Sequence, residues 1–418
     1  MKFFATALIS IASASKVHDF FAERNFICGM CKTVFESAYE GDDQKVQEIY
    51  EMFPALELAI STSALESMAT FNLSDPEATC KSANLCEQGN VMELMANEIP
   101  LNLGKHVETV NSNPKSKWVS GVNEKFVNAS RKEVQMLMGT VVDPAWTIKG
   151  APYPDMVQVV TDDLPTDFDA RTNWPTCAEV INNIRDQSNC GSCWAHGTTE
   201  ALNDRTCIAG KAEFTGFLSV SDTTGCCDAK HCFSFGCGGG QVGTPWGWFT
   251  KQGVVTGGNY EQGEFCYDYT MPACAHHVDS KTLPECDAVV QVQPKCLATC
   301  PSNTSINYNE DKHMASSSYG FGLDAVDKIK QDIYTYGSVT GAFSVYEDFL
   351  TYKSGVYSHQ TGASLGGHAI KVIGWGHEDG QDYWLCVNSW NNTWGDMGTF
   401  KILMGDCGIN NQMHAGQV

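Results

Sequence analysis

Three residues that together perform nucleophilic acyl transfer occur in this chain in a workable order: Cys193, His368 and Asn388. Cys193 lies in Gln187-Ser188-Asn189-Cys190-Gly191-Ser192-Cys193-Trp194. A thiol attacks as thiolate, and a helix N-terminus or a neighbouring imidazolium lowers its pKa enough to make it one near neutrality. The context fits that placement, because Asn189 to Ser192 reads as a tight turn and Trp194 to Leu202 as the apolar-spaced helix that follows. Such a nucleophile needs a base, and the base needs a group that fixes its tautomer. His368 opens an alternating apolar strand, Gly366 to Gly376, and Asn388 ends the next one, Tyr383 to Ser389. The polar turn His377-Glu378-Asp379-Gly380 between them predicts a hairpin that sets His368 beside Asn388. Singly, a cysteine is usually a disulfide half, a histidine structural and an asparagine a turn residue. The conjunction, with Gly-Gly-His-Ala and Asn-Ser-Trp around it, favours the catalytic reading.

Cys-Gly-Ser-Cys-Trp at 190–194 matches the signature of the papain and cathepsin nucleophile. With the order Gln, Cys, His, Asn, the chain resembles the papain family. The resemblance implies an α+β, two-lobed papain-like fold, with a helical lobe carrying Cys193, a β-barrel-like lobe carrying His368 and Asn388, and the cleft between them. It also implies roles: Cys193 as nucleophile, His368 as general base and acid, and Asn388 as imidazole orienter. Gln187 would share the oxyanion hole with the Cys193 N–H, and Trp390 would shield the His–Asn bond from water. No metal or organic cofactor is required, and the substrates are proteins and peptides.

Composition bounds the rest. At 418 residues there is room for two or three domains, and 43% hydrophobic residues are ample for a core. Nineteen cysteines imply an oxidising compartment, and the net charge of -22 argues against nucleic acid or an anionic membrane as partner. Residues 1–14 carry one lysine, a short apolar run and an Ala-x-Ala end, the pattern of a signal peptide. Sequons at Asn72, Asn128, Asn303 and Asn391 agree with the secretory pathway, ending in a lysosome, a vacuole or outside the cell.

His368 and Asn388 lie 175 and 195 residues after Cys193 (368 − 193 and 388 − 193), where papain-type spacing is roughly 130–150. Something is inserted. Cys274-Ala275-His276-His277 to Cys286 resembles the occluding loop of the cathepsin B branch, and the resemblance covers nearly all of 163–418. It implies that His276 and His277, protonated, bind a substrate's C-terminal carboxylate, adding peptidyl-dipeptidase to endopeptidase activity. The family's His–Asp loop tether survives as His276 with Asp186, while its Arg–Asp tether is lost. The resemblance further implies P2 contacts at Gly239 and Gly240, pocket walls at Val242 and Ala369, and an S2 floor at Gln412, where the family has an acid. A neutral floor predicts an apolar P2 preference. His196 stands where the family usually has Phe and reads as a packed histidine. The implied disulfides are Cys177–Cys207, Cys190–Cys237, Cys226–Cys296, Cys227–Cys232, Cys266–Cys300 and Cys274–Cys286, with Cys386 and Cys407 left over.

Upstream, residues 100–162 resemble the family's propeptide in their order of Trp118, Asn128 and Gly139-Thr140, and are expected to form a short helix and an extended tail that blocks the cleft as the enzyme's own inhibitor. Cystatin-type inhibitors are further implied partners. The mature enzyme begins near 163. Residues 26–88, with Cys28-Gly29-Met30-Cys31 at one end, Cys80 and Cys86 at the other and helical apolar spacing between, resemble a saposin-like module. That likeness implies Cys28–Cys86 and Cys31–Cys80 and a possible lipid contact. A disulfide-pinned helical extension without lipid chemistry fits the same residues.

Overall fold

The computed structural model describes residues 100–140, 142, 164–274, 283–284 and 292–418, together with Cys31, Lys32, Val34, Asp75 and Cys80. The chain divides into two units, residues 1–91 and 92–418. In the first, Cys31, Lys32, Val34 and Cys80 are helical and a disulfide joins Cys31 to Cys80. Cys28, Cys86 and the surface needed for lipid contact lie outside the described residues.

The second unit pairs a twisted, mainly antiparallel sheet with a helical half. Its strands are β1 (Trp118–Ser120), β2 (Phe168–Asp169), β3 (Tyr319–Gly320), β4 (Val339–Tyr346), β5 (Tyr352–Tyr357), β6 (Ser364–Glu378), β7 (Gln381–Val387), β8 (Thr399–Leu403) and β9 (Gln412–Ala415). The sheet runs β1-β5-β8-β7-β6-β4-β9-β3, with β2 added against β6. Two long strands, β6 and β7, form the predicted hairpin. Its loop is Asp379-Gly380, both at positive φ (51° and 80°), as a two-residue hairpin turn that matches strand twist demands. Phe343, Phe349, Trp384, Trp390, Trp394 and Phe400 fill one face of the sheet and are essentially water-free.

The helices that matter to the site are α1 (Leu103–Ser112), α2 (Arg131–Gln135), α3 (Cys193–Ala209), α4 (Val220–Cys226), α5 (Thr244–Lys251) and α6 (Val326–Tyr336). In α3 every residue from Cys193 to Cys207 is buried, so it is a central helix rather than an amphipathic one. Two of its buried charges, Arg205 and Asp204, have close charged partners. Arg205 ion-pairs with Asp332 and donates to the carbonyls of Ser338 (2.7 Å) and Gly416 (3.0 Å). Asp204 receives Lys371 of β6 at 3.0 Å, and the same ammonium donates to the Ile181 carbonyl at 2.9 Å. The helix carrying Cys193 is therefore pinned to the strand carrying His368. Disulfides Cys177–Cys207, Cys190–Cys237, Cys226–Cys296, Cys227–Cys232 and Cys266–Cys300 link the loops around it.

Residues 100–140 are more structured than a short helix with an extended tail. They form α1, β1, a one-turn helix Glu124–Phe126 and α2, the last closed by a Ser130/Glu133 capping box. Asn111 of α1 holds β1 by bonding both the N–H (3.0 Å) and the carbonyl (2.8 Å) of Ser120. β1 then pairs with β5, Trp118 opposite Gly355. Gly355 sits at φ +86°, and a Cβ there would lie 2.4 Å from the Lys117 carbonyl oxygen, so glycine is what lets the two strands close. Three residues are too few for a strand period to be read from sequence.

Candidate active site

Cys193 is the first residue of α3, where the helix dipole favours an anion, and it is fully buried in this form. His368 Nε2 lies 2.7 Å from Asn388 Oδ1. A carboxamide oxygen only accepts, so Nε2 carries the hydrogen and Nδ1 keeps its lone pair. That is the tautomer a general base needs. Asn388 Oδ1 is itself held by the Ser389 N–H at 2.8 Å. The Trp390 ring, 4.6 Å from the imidazole and wholly buried, covers the pair. Burial pushes the His368 pKa down to about 4, opposed by the bond to Asn388, so the imidazole is neutral here.

Gln187 is gripped on several sides. Its Nε2 donates to the Cys190 carbonyl (2.7 Å) and the Leu137 carbonyl (2.9 Å), while Oε1 accepts from Ser389 Oγ (2.7 Å). Ser389 thus sets which end of the amide faces the cleft. Sequence reasoning passed over it, although it stands in the Asn-Ser-Trp motif beside Asn388.

The cleft is filled by residues 137–140 and 142 of the chain itself. Gly139 crosses Gly191 so closely that a Cβ on it would lie 1.9 Å from the Gly191 oxygen. The Gly240 N–H donates to the Gly139 carbonyl (2.9 Å), the Thr140 N–H to the Gly367 carbonyl (3.1 Å), and Thr140 Oγ1 sits 3.3 Å from Cys193 Sγ. Val142 packs on the apolar group that includes Val242, Ala342 and Ala369. Gln412, almost fully buried, pairs with Ala342 across β4 and β9 at that pocket. At Gly240 a Cβ would fall 2.5 Å from the Trp194 ring, and Gly239 has φ 111°, so both positions need glycine for the chain to approach.

Ionic contacts hold the segment outside the cleft. Lys125 Nζ meets Asp186 at 3.2 Å with both side chains buried, and Phe126 packs edge-on against Trp390 at 5.1 Å. Glu347 receives both Arg131 and His106, the latter at 3.1 Å. Asp186, expected to tether His276, thus has Lys125 as its partner in this form. His276, His277 and Cys286 lie outside the described residues, as does the Cys274–Cys286 bond, although Cys274 is disulfide-bonded. Cys386 and Cys407 are free thiols. His196 is buried, as expected of a packed histidine.

Residues 164–417 match the papain family cysteine protease model. The chain is 45% identical over 261 residues to cathepsin B-like cysteine proteinase 5 of Caenorhabditis elegans, covering 62% of this chain and 75% of that protein. It is 39% identical over 314 residues to a cathepsin B-like cysteine proteinase of Schistosoma japonicum, covering 75% and 90%. Among solved structures, procathepsin B S9 from Trypanosoma congolense matches with a TM-score of 0.61 and 30% identity over 75% of this chain and 97% of that one. A digestive procathepsin L 3 of Tenebrio molitor shares the fold, with a TM-score of 0.55 at 17% identity over 87% and 99%. These likenesses, with a cysteine at a helix start and a His–Asn pair whose histidine lies on the strand pinned to that helix, lead to one conclusion: the chain belongs to the papain family of cysteine proteases, as a cathepsin B-like cysteine peptidase in its zymogen form.

Proposed function

We propose that Cys193, His368, Asn388 and Gln187 hydrolyse peptide bonds as a unit. The observation that carries this is the His368–Asn388 bond at 2.7 Å, which leaves the other imidazole nitrogen as a base, next to Gln187 already donating to a peptide carbonyl. The Cys193 thiolate attacks the scissile carbonyl, and the Gln187 amide and Cys193 N–H hold the oxyanion. His368 Nδ1, having taken the Cys193 proton, gives it to the leaving amine, and water that loses a proton to the same nitrogen then hydrolyses the acyl-enzyme, the proton returning to Cys193. Residues 100–162 act as the inhibitory propeptide. In the proposed substrate mode, residues preceding the scissile bond lie along Gly239 and Gly240 with P2 between Val242 and Ala369. The propeptide crosses the cleft with the opposite polarity, from Gln187 towards Gly240, which keeps its own bonds out of register for attack.

Val142 in the apolar pocket supports an apolar P2 preference above the neutral floor Gln412. His276 and His277 add removal of C-terminal dipeptides, and the disulfides suit maturation in the secretory pathway. The test is cleavage of fluorogenic Phe-Arg and Arg-Arg substrates after acid activation, with and without a thiol-directed epoxide. Epoxide-sensitive cleavage of Phe-Arg over Arg-Arg, with Gln412→Glu restoring Arg-Arg, is the expected result. Equal cleavage of both removes the pocket assignment, and no cleavage of either removes the peptidase reading.

A further inference from the structure

We infer that His196, a position where the family usually has an aromatic ring, is a positioning residue that supports both halves of the oxyanion hole through hydrogen bonds. The inference rests on the catalytic reading above. His196 Nδ1 lies 3.0 Å from the Ser192 carbonyl and 3.3 Å from Ser192 Oγ. The carbonyl only accepts, so Nδ1 carries the hydrogen and the tautomer is fixed. The Ser192 carbonyl and the Cys193 N–H belong to one peptide group. A side-chain hydrogen bond to that carbonyl, added to the backbone ones from the Ala195 and His196 N–H groups (3.0 Å each), polarises the peptide further and makes the Cys193 N–H a better donor to an oxyanion.

A second path reaches the other donor. Ser192 Oγ is 2.8 Å from Tyr269 Oη, which donates to the Gln187 carbonyl at 2.9 Å. Tyr269 spends its hydrogen on that carbonyl, so Ser192 must donate to Tyr269, and Ser192 Oγ is left to accept the weaker share of the one Nδ1 hydrogen, which points mainly at the Ser192 carbonyl. The bonds therefore run one way, from imidazole to serine to tyrosine to the main chain of Gln187. His196 packs edge-on against Tyr269 with ring centres 4.9 Å apart, and both are buried. Burial holds the His196 pKa down to about 3, so it is neutral wherever the enzyme works and has no proton to exchange with substrate. Ser192 does not cap α3 with its hydroxyl, consistent with that hydroxyl being committed to this chain.

The test compares three readouts in the activated enzyme. Turnover and inhibition by a peptide aldehyde both generate an oxyanion at the bound carbonyl. Alkylation of Cys193 by iodoacetamide does not. His196→Phe should lower kcat and aldehyde affinity together by roughly fivefold, the worth of one neutral hydrogen bond, with KM and the alkylation rate unchanged and the loss constant from pH 4.5 to 7.5. His196→Asn, whose amide nitrogen falls near Nδ1, should restore most of it, and Tyr269→Phe should lose only the Gln187 side. A parallel fall in all three readouts would mean a structural role alone, and no change in any would mean no role; either overturns the inference. The peptidase reading is checked separately, since wild-type turnover abolished by alkylation stands whatever His196 does.

Discussion

Replacing Glu200 by Gln should stabilise the folded protein at neutral and alkaline pH and leave it unchanged in acid. Glu200 lies on the buried face of α3, 3.8 Å from Lys371, with Asp204 sharing that ammonium and Arg185 nearby. Desolvation raises its pKa from 4.5 to about 7 despite both cations. The unfolded chain releases this proton near 4.5 and the folded protein keeps it until about 7, so folding favours the protonated acid. Its stabilisation is fully present below pH 4.5 and is lost as pH rises through 7. The gap of about 2.5 units, at 1.36 kcal/mol each, makes the cost about 3 kcal/mol by pH 8. Glutamine is uncharged at every pH, and its curve lacks this fall. Denaturant midpoints of the Cys193→Ala zymogen, with and without Glu200→Gln, measured from pH 4 to 8, should coincide in acid and diverge by about 3 kcal/mol at the alkaline end. Curves that stay parallel across the range would refute the raised pKa and the claim that this buried cluster holds one carboxylate more than it can ionise.

Lys125→Ala leaves Asp186 without its ammonium beneath the propeptide, so zymogen activation should quicken and residual zymogen activity rise; truncating one partner of a buried pair costs about 2–5 kcal/mol. Progress curves of acid activation read this directly, and an unchanged lag counts against the contact. Ser389→Ala frees Gln187 Oε1, and kcat should fall roughly fivefold with little change in KM; steady-state kinetics on the activated enzyme distinguish this from a binding defect.

The candidate catalytic residues are legible in sequence because each sits in a local pattern. Cys193 has its turn and helix, and His368 and Asn388 face each other through one hairpin whose Asp-Gly loop is itself a sequence signal. In residues 100–140 the sequence shows only a helix and a tail, because their order depends on distant partners. Trp118 becomes a strand residue when Gly355 is opposite it, and Lys125 becomes an anchor when Asp186 is beneath it. No periodicity in three residues, and no charge pattern along one segment, encodes such pairings. The His196 network is not legible in sequence for a related reason: Tyr269, which joins Ser192 to the Gln187 main chain, comes from a distant stretch, and only the fold sets the direction of the bonds between them.

With residues 100–162 as the propeptide, as proposed, β1 at the outer margin of the sheet beside β5 leaves with them, and activation does more than clear the cleft. It strips away a border strand, and the β5 main chain that met Trp118, Val119 and Ser120 turns to water with its amides and carbonyls unpaired. Maturation thus trades a hemmed sheet for a frayed margin, and the zymogen is the better finished of the two as a piece of β-structure.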